Sequence, residues 1–202
     1  PQGNLVLPGI YSVSMAKVVN GKVETLPGSQ SFEVKLWNNA TLAATDRAAV
    51  QGFIEKVRRL RRAASGAGRY QGELQNRIRH LKVATQTTPG GAIAWMTGLK
   101  DLEDRLQVTN RQLNGDRSVA QRQFETLPGI NGRLGSIAYN LWQSTSAPTK
   151  TQQDSYRIAA KAFTGVLAEL KAVSAALEAI EQEMETAGAP WTPGRLPVWE
   201  EE

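Results

Sequence analysis

The chain has 202 residues, of which 41% are hydrophobic and 21% charged, proportions that suit one large or two small globular domains. It contains no cysteine, which excludes disulfides, thiolate metal sites and cysteine nucleophiles. No apolar run approaches the roughly 20 residues needed to cross a bilayer. The net charge of +5 permits nucleic acid or an acidic surface as a partner, although over this length it also serves solubility.

Residues 1–37 alternate between apolar and polar side chains, as half-buried strands do. The predicted inward set comprises Tyr11, Val13 and Met15 in GIYSVSMAKVV, and Phe32, Val34 and Leu36 in SFEVKLW. Asn20-Gly21 is a strong hairpin signal, and Pro27-Gly28 punctuates the end of a strand. We therefore predict about three antiparallel strands, too few for an independent domain. They are either the last strands of a β-sandwich or a small sheet packed on the rest of the chain.

After Trp37 the apolar residues recur in alternating steps of three and four, the spacing of packed helices. The first such seam comprises Val50, Phe53, Val57, Leu60, Ala64, Ala67, Gln71, Leu74, Ile78 and Leu81. It predicts one helix over about residues 46–85, with this seam buried. We expect Arg58, Arg59, Arg62 and Arg77 to be largely exposed on that helix.

Three glycines, Gly66, Gly68 and Gly72, interrupt the middle of this seam. Each costs a helix about 1 kcal/mol relative to alanine. They favour either a close approach by a partner helix or a break that divides the segment into two helices.

Three further helices are predicted along the chain. The second seam comprises Ala92, Trp95, Leu99, Leu102, Leu106, Thr109 and Leu113, and it stops at Asn114-Gly115-Asp116. A short helix over about residues 130–145 places Leu134, Ile137 or Ala138, and Leu141 inward. Thr149 and Gln152 form a capping-box pattern. They precede the last seam, which comprises Tyr156, Ala159, Phe163, Val166, Leu170, Val173, Leu177, Ile180 and Met184.

The helix lengths predict an architecture. The first and last helices each have about 40 residues, or roughly 60 Å, and the two between them add up to a similar length. We therefore predict a mainly α fold, an elongated antiparallel helical bundle of three legs whose middle leg is broken around residues 114–129. The predicted divisions are the strand segment 1–37, the bundle 45–187 and a tail 188–202.

The tail, WTPGRLPVWEEE, carries two of the five tryptophans of the chain. Its prolines exclude a helix or a central strand. A tail that only floats in solvent needs no aromatic residues, so we predict that Trp191, Leu196 and Trp199 are anchors inserted into grooves of the bundle. The alternative is a disordered terminus.

No residue pattern points to catalysis. The single histidine, His80, has no partner histidine and no metal-ligand spacing. Asp101, Glu103 and Asp104 lie along the outer face of a helix rather than in a cleft that would separate their pKa values. There is no Gly-x-Ser-x-Gly elbow and no phosphate loop. We therefore predict no catalytic residue, no metal ligand and no cofactor in this chain.

The most pronounced charge feature is the basic run EKVRRLRRAASGAGR. Its arginines, Arg58, Arg59, Arg61, Arg62 and Arg69, form a candidate basic surface. Nucleic acid is one possible partner, but no aromatic residues alternate with the arginines as single-strand binding requires. We favour ion pairs within the bundle with the glutamates of the last helix, Glu178, Glu181, Glu183 and Glu185.

Several stretches occur in the order LPGIYSVSM, SFEVKLW, NRIR, INGRLGSI, APTKTQQ and WTPGRLPVW. Together they resemble the C-terminal regions of large bacterial proteins with sortilin-like BNR (Asp-box) repeats, commonly labelled glycosyl hydrolases. The first two look like the end of an Ig-like sandwich. The resemblance spans essentially the whole chain and implies a β-propeller upstream in the same polypeptide, and export to the periplasm or outside the cell. No Asp-box occurs here, so no functional residue is carried over.

Three functions are expected on these grounds. The leading one is a non-catalytic C-terminal accessory or interaction region of such an exported protein. The partners would be the upstream propeller of the same polypeptide, another protein, or a second copy bound through the bundle. The first alternative is the C-terminal domain of a true glycoside hydrolase or sialidase-like enzyme whose active site is in the propeller. The second is a basic helical protein that binds nucleic acid.

Overall fold

The computed structural model describes residues 6–36, 44–90, 92–197 and 199. Its elements are β1 (Gly9–Val19), β2 (Lys22–Val34), α1 (Arg47–Ala84), α2 (Ala92–Asn114), α3 (Arg117–Ala120), α4 (Ile130–Gln143) and α5 (Lys150–Thr186). The fold is mainly helical, with a two-stranded antiparallel sheet ahead of the helices. The predicted change of pattern at Trp37 lies outside the described residues.

The hairpin turns at Asn20-Gly21, as predicted. Both residues have positive φ, 51° and 76°, which asparagine and glycine adopt more readily than other residues. The prediction of a third strand is wrong, because β2 continues through Pro27-Gly28. There one residue of β1 faces three residues of β2, between the pairs Ser14–Ser29 and Ala16–Thr25. Pro27-Gly28 therefore forms a bulge within a strand, with Gly28 at φ 97°.

Helix α1 is a single helix across the glycine stretch, so the alternative of a break is wrong. Asp46 caps its first turn by accepting from the Ala49 backbone N–H at 2.9 Å. A Cβ built at Gly66, Gly68 or Gly72 meets nothing within 4 Å. The glycines therefore serve no close helix–helix approach within the described chain.

The predicted seams form the core. One leucine from each of the four predicted helices is completely buried: Leu74, Leu99, Leu134 and Leu177. On α1 the prediction of full burial is too strong for Phe53 and Leu60, which are half-buried against this core. Both residues lie in the first half of α1, where Phe53 packs against Tyr156, a residue that is itself half-buried.

Helices α1 and α5 run in the same direction. The hydroxyl of Tyr70 lies 2.7 Å from that of Ser174, and seven residues further along both helices Arg77 meets Glu181. Near the start of both helices, the rings of Phe53 and Tyr156 pack edge to face at 5.6 Å.

Helix α2 packs on both α1 and α5 and runs in the opposite direction to α5. The indole N–H of Trp95 donates to Glu183 at 3.1 Å, and Arg105 donates to Glu169 at 2.7 Å. As the residue number rises along α2 it falls along α5, so the two helices are antiparallel.

Helix α4 packs against α1 and α5, and Arg133 of α4 donates to the hydroxyl of Ser155, near the start of α5, at 3.4 Å. Its start is fixed against the end of α2, since a Cβ at Gly129 would lie 2.4 Å from the backbone nitrogen of Gly115. The loop after α4 bonds to the start of the bundle through Ala44 N–H and the carbonyl of Thr145, at 3.3 Å. The capping box that starts α5, between Thr149 and Gln152, is confirmed.

Candidate interaction site

The acidic residues of α2 are engaged in ion pairs on a helix surface. Glu103 lies 2.8 Å from Lys82 of α1, and the hydrogen bond from Lys82 holds the pKa of Glu103 below its usual value. Asp101 and Asp104 are exposed, and His80 is half-buried on α1. Within the described ranges, no three histidine, aspartate or glutamate side chains are grouped to hold a metal ion.

Arg77 is half-buried rather than exposed, so its predicted exposure is wrong. Its guanidinium donates to both carboxylate oxygens of Glu181, at 3.1 and 2.7 Å, and the Glu181 side chain is only 6% exposed. The hydrogen bond to Glu181 raises the pKa of Arg77. Because α5 runs beside α1, a position at the margin of the apolar stripe became part of the interface between the two helices.

The glutamates of α5 do not pair with the basic run, contrary to the expectation. Glu181 binds Arg77, Glu183 accepts from the indole of Trp95, and Glu185 binds Arg195 of the tail. Glu178 accepts from the hydroxyl of Ser174 at 3.1 Å. All four lie in the second half of α5, far along the helix from the level of the basic run.

The structure places Arg58, Arg59, Arg62 and Arg69 on the exposed surface of α1. Arg58 pairs with Glu55 in its own helix, and Arg69 donates to Ser65. No ion pair within the described residues involves Arg59, Arg61 or Arg62. A shallow groove of about 410 Å³ lies between α1 and α4, lined by Arg61, Arg62, Ser65 and Asn131.

These arginines belong to a strongly basic half of the helical region. We define the basic half as residues 47–69 of α1, 130–143 of α4 and 150–169 of α5. It contains eleven lysines and arginines against three aspartates and glutamates. The positive charge of the chain is therefore concentrated near the start of the helical region.

The remaining half is electrically neutral by comparison. We define the neutral half as residues 70–84 of α1, 92–114 of α2 and 170–186 of α5. It contains seven basic and eight acidic residues. The pairs Lys82–Glu103 and Arg77–Glu181 lie within it, whereas Arg105–Glu169 links it to the basic half.

The tail is held at residues other than the predicted anchors. Leu196 and Trp199 are 89% and 87% exposed, and Trp191 is 41% exposed. Thr192 is buried instead, and Arg195 binds the carboxylate of Glu185.

Arg195 also explains the position of Trp191, since its guanidinium lies 5.0 Å from the centre of the indole ring. The tail turns back at Gly188 and Gly194, whose φ values of 79° and 90° suit glycine. Sequence reasoning missed Arg195 because it weighed the aromatic residues alone. The available signal was a lone arginine in a segment that comes directly after a glutamate-rich helix end.

We call residues 9–15 of β1 and 29–34 of β2, the part of the hairpin away from the Asn20-Gly21 turn, its open half. This half has one apolar and one polar face. Cross-strand partners share a face, so the register places Tyr11, Val13, Phe32 and Val34 together, with Gln30 opposite Val13, and the alternation along β1 adds Met15. We call the five apolar residues of this face, Tyr11, Val13, Met15, Phe32 and Val34, the apolar hairpin face. The opposite face of the same half carries Ser12, Ser14, Ser29 and Ser31, together with Ile10 and Glu33.

The apolar hairpin face is largely open: Val13, Met15 and Phe32 are exposed, and Tyr11 and Val34 are half-buried, so the prediction that this set points into a core is wrong in the described structure. Met15 is 69% exposed and Phe32 is 51% exposed, with Tyr11 and Phe32 stacked on each other at 6.1 Å. Across the described residues, the hydrogen bonds, ion pairs and ring contacts of the hairpin stay within the segment from Leu7 to Lys35. The alternation predicted which side chains share a face, but the helices do not supply a cover for that face.

Comparison with known protein families, curated proteins and solved structures finds no match for this chain. The resemblance to BNR-repeat proteins therefore remains a hypothesis. Among the described helices, none combines the length and hydrophobicity of a membrane span.

Proposed function

We propose that the chain is a non-catalytic accessory and interaction region whose β-hairpin completes a sheet supplied by other parts of a larger polypeptide. The observation that carries this proposal is the open apolar hairpin face beside a closed helical core. Met15 and Phe32 face solvent, whereas Leu74, Leu99 and Leu177 are fully buried. The helices therefore need no partner for their core, and the hairpin does.

The helices would act as a rigid support in this arrangement. We propose a bundle of three legs, with α1 and α5 as two legs and α2 followed by α4 as the broken middle one. The hairpin would be the end of an Ig-like sandwich. The polypeptide would be an exported BNR-repeat protein, with its propeller upstream as the surface on which the sandwich rests. The order of short motifs along the chain supports this assignment.

Amide hydrogen exchange on the whole chain tests the proposal. We expect the amides of α1 and α5 to be protected by several orders of magnitude, and those of β1 and β2 to exchange close to the rate of an unstructured peptide. The reason is that an isolated two-stranded hairpin is marginally stable in water. Protection of the hairpin equal to that of α1 would show that the sheet is already complete, and would contradict the proposal.

A variant of this proposal places catalysis in the rest of the polypeptide, as in a glycoside hydrolase or sialidase-like enzyme. The present chain would then contribute stability and not chemistry. Turnover of a glycoside by this chain, abolished by one substitution within it, would contradict both forms.

A second candidate function is nucleic-acid binding, which Arg59, Arg61 and Arg62 favour because they have no ion pair in the described structure. Binding of a short DNA duplex at increasing salt concentrations tests it, since each phosphate contact adds to the salt dependence. Arg61→Gln with Arg62→Gln should then weaken binding, and Arg79→Gln with Arg111→Gln, in the neutral half, is the matched control. Equal effects of the two pairs would indicate attraction by net charge alone.

A further inference from the structure

The two strands of the hairpin differ in the edges they present. Among the described residues the sheet has two strands, so each is paired on one side and has no strand on the other. Strand β2 is irregular at Pro27, which has no N–H to donate, and at the bulge around it. The edge of β1 is regular, since β1 contains no proline and its one irregularity is the bulge on the partner strand.

Strand β1 also lacks the usual protection of an exposed edge. Natural edge strands carry charges, prolines or bulges that prevent pairing with other chains. Residues 9–16, GIYSVSMA, contain no charge and no proline, and the extra residues of the bulge beside Met15 lie on β2. The charges of the hairpin begin at Lys17, which pairs with Glu24 on the other strand at 3.0 Å. The unprotected edge thus coincides with the open half that carries the apolar hairpin face.

We infer that β1 is the edge at which the sheet is extended, by an uncharged strand of a separate two-layered β-structure whose other sheet packs on the apolar hairpin face. This inference rests on the proposed function and names the partner of the same site. The partner strand would lie along residues 9–16 and would place apolar side chains beside Val13 and Met15. Beyond Lys17 the charged half of the hairpin would remain in water.

A second copy of this chain suits the site less well. Pairing two β1 edges makes a four-stranded sheet in which the two apolar hairpin faces lie side by side and stay open. Stacking two copies face to face covers these faces and leaves both β1 edges unpaired. A two-layered β-structure satisfies both, because one of its sheets pairs with β1 and the other packs on the apolar hairpin face.

The test uses the whole chain and a capped synthetic peptide of alternating threonine and valine with two lysines at each end. The lysines keep the peptide soluble and away from the arginines of the basic half. Amide exchange and chemical shifts of the labelled chain are followed during titration. We expect slower exchange for β1 amides that point away from β2, and no change on the free edge of β2. A peptide of the same composition with a central proline is the control.

Two substitutions in β1 separate the face from the edge. Val13→Lys places a charge on the apolar hairpin face and should weaken peptide binding at least about tenfold, the equivalent of about 1.4 kcal/mol. Ser12→Lys places the same charge on the polar face and should change binding by less than about twofold. Val13→Thr keeps a β-branched strand former and should give an intermediate loss, which guards against a general collapse of the hairpin.

Three results would overturn the inference: protection of β2 in place of β1, no protection of either edge at saturating peptide, or concentration-dependent dimers of the chain alone that protect β1. These outcomes are distinct from a failure of the proposed function. If the hairpin amides exchange freely in the isolated chain and the peptide does not protect them, the proposal of an incomplete sheet is retained and the assignment of β1 as the paired edge is wrong. If the hairpin is already protected without peptide, the proposed function itself fails.

Discussion

At the residue scale, the glycines of α1 are the clearest case of residues that the described fold does not require. Gly66, Gly68 and Gly72 lie in a continuous helix, none has positive φ, and each has open space where a Cβ would lie. Their presence lowers the stability of α1 without a compensating contact inside the described chain.

We expect Gly72→Ala to raise the free energy of unfolding by up to about 1 kcal/mol, because alanine restricts the unfolded chain and favours the helix. Gly129→Ala is the matched control and should destabilise the protein, because the new methyl group would collide with the backbone of Gly115. Urea unfolding followed by circular dichroism measures both. Destabilisation by Gly72→Ala would mean that another element or partner approaches the helix there.

The Lys82–Glu103 pair predicts how stability depends on pH. The hydrogen bond from Lys82 lowers the pKa of Glu103 in the folded chain, so the unfolded chain binds a proton more readily. The contribution of Glu103 is therefore present above the unfolded pKa, about 4.3, and is lost as the pH falls through the lower folded value. Glu103→Gln should flatten the acid side of the stability curve, measured by urea unfolding between about pH 3 and 6.

Lys82→Gln provides the second half of this test. It removes the donor that lowers the pKa of Glu103, so it should flatten the same part of the curve while leaving the carboxylate in place. A curve that keeps its wild-type slope in both variants would show that other carboxylates dominate acid unfolding.

At the scale of elements, periodicity predicted the helices because burial repeats with the turn of a helix. Val57, Leu74 and Leu81 are buried as the seam requires. The same reasoning failed for Arg77, since a position at the margin of the stripe is exposed or half-buried according to where the neighbouring helix lies. That position depends on contacts distant in sequence, such as Tyr70 with Ser174.

The strand segment shows a related limit of sequence reasoning. Alternation correctly predicted which side chains share a face, and Asn20-Gly21 correctly predicted the turn. Pro27-Gly28 wrongly predicted a strand end, because proline followed by glycine ends strands more often than it bulges within them. The covering of the apolar hairpin face was predicted from pattern alone, and a pattern does not specify what provides the cover.

The tail gives a testable prediction at this scale. Arg195→Ala should release the segment after Gly188, because it removes the contact with Glu185 and the stacking on Trp191. We expect faster amide exchange from Ala189 to Arg195 and altered tryptophan fluorescence. Trp199→Ala should change the free energy of unfolding by less than about 0.5 kcal/mol, as surface substitutions usually do. A larger loss would show that Trp199 packs on the protein in solution.

At the scale of the whole molecule, charge is distributed unevenly along the helices. The basic half has an excess of eight positive residues, and the neutral half has an excess of one negative residue. We expect Arg59→Gln with Arg62→Gln to shorten retention on a cation-exchange column more than Arg79→Gln with Arg111→Gln, although both pairs remove two charges. Equal shifts would mean that net charge alone governs adsorption.

Because α1 and α5 run in the same direction, the uneven charge of the helical region lies along a defined axis. Both helices point their N-terminal ends, each equivalent to about half a positive charge, toward the end where Ala44 joins the loop after α4. The dipoles of α2 and α4 oppose those of α1 and α5, but the two parallel long helices outweigh the single broken leg, so the remaining dipole adds to the arginines and the helical region has a permanent electric moment along its length. An acidic surface would turn the approaching molecule before contact, so that the end at which both helices begin would touch that surface first.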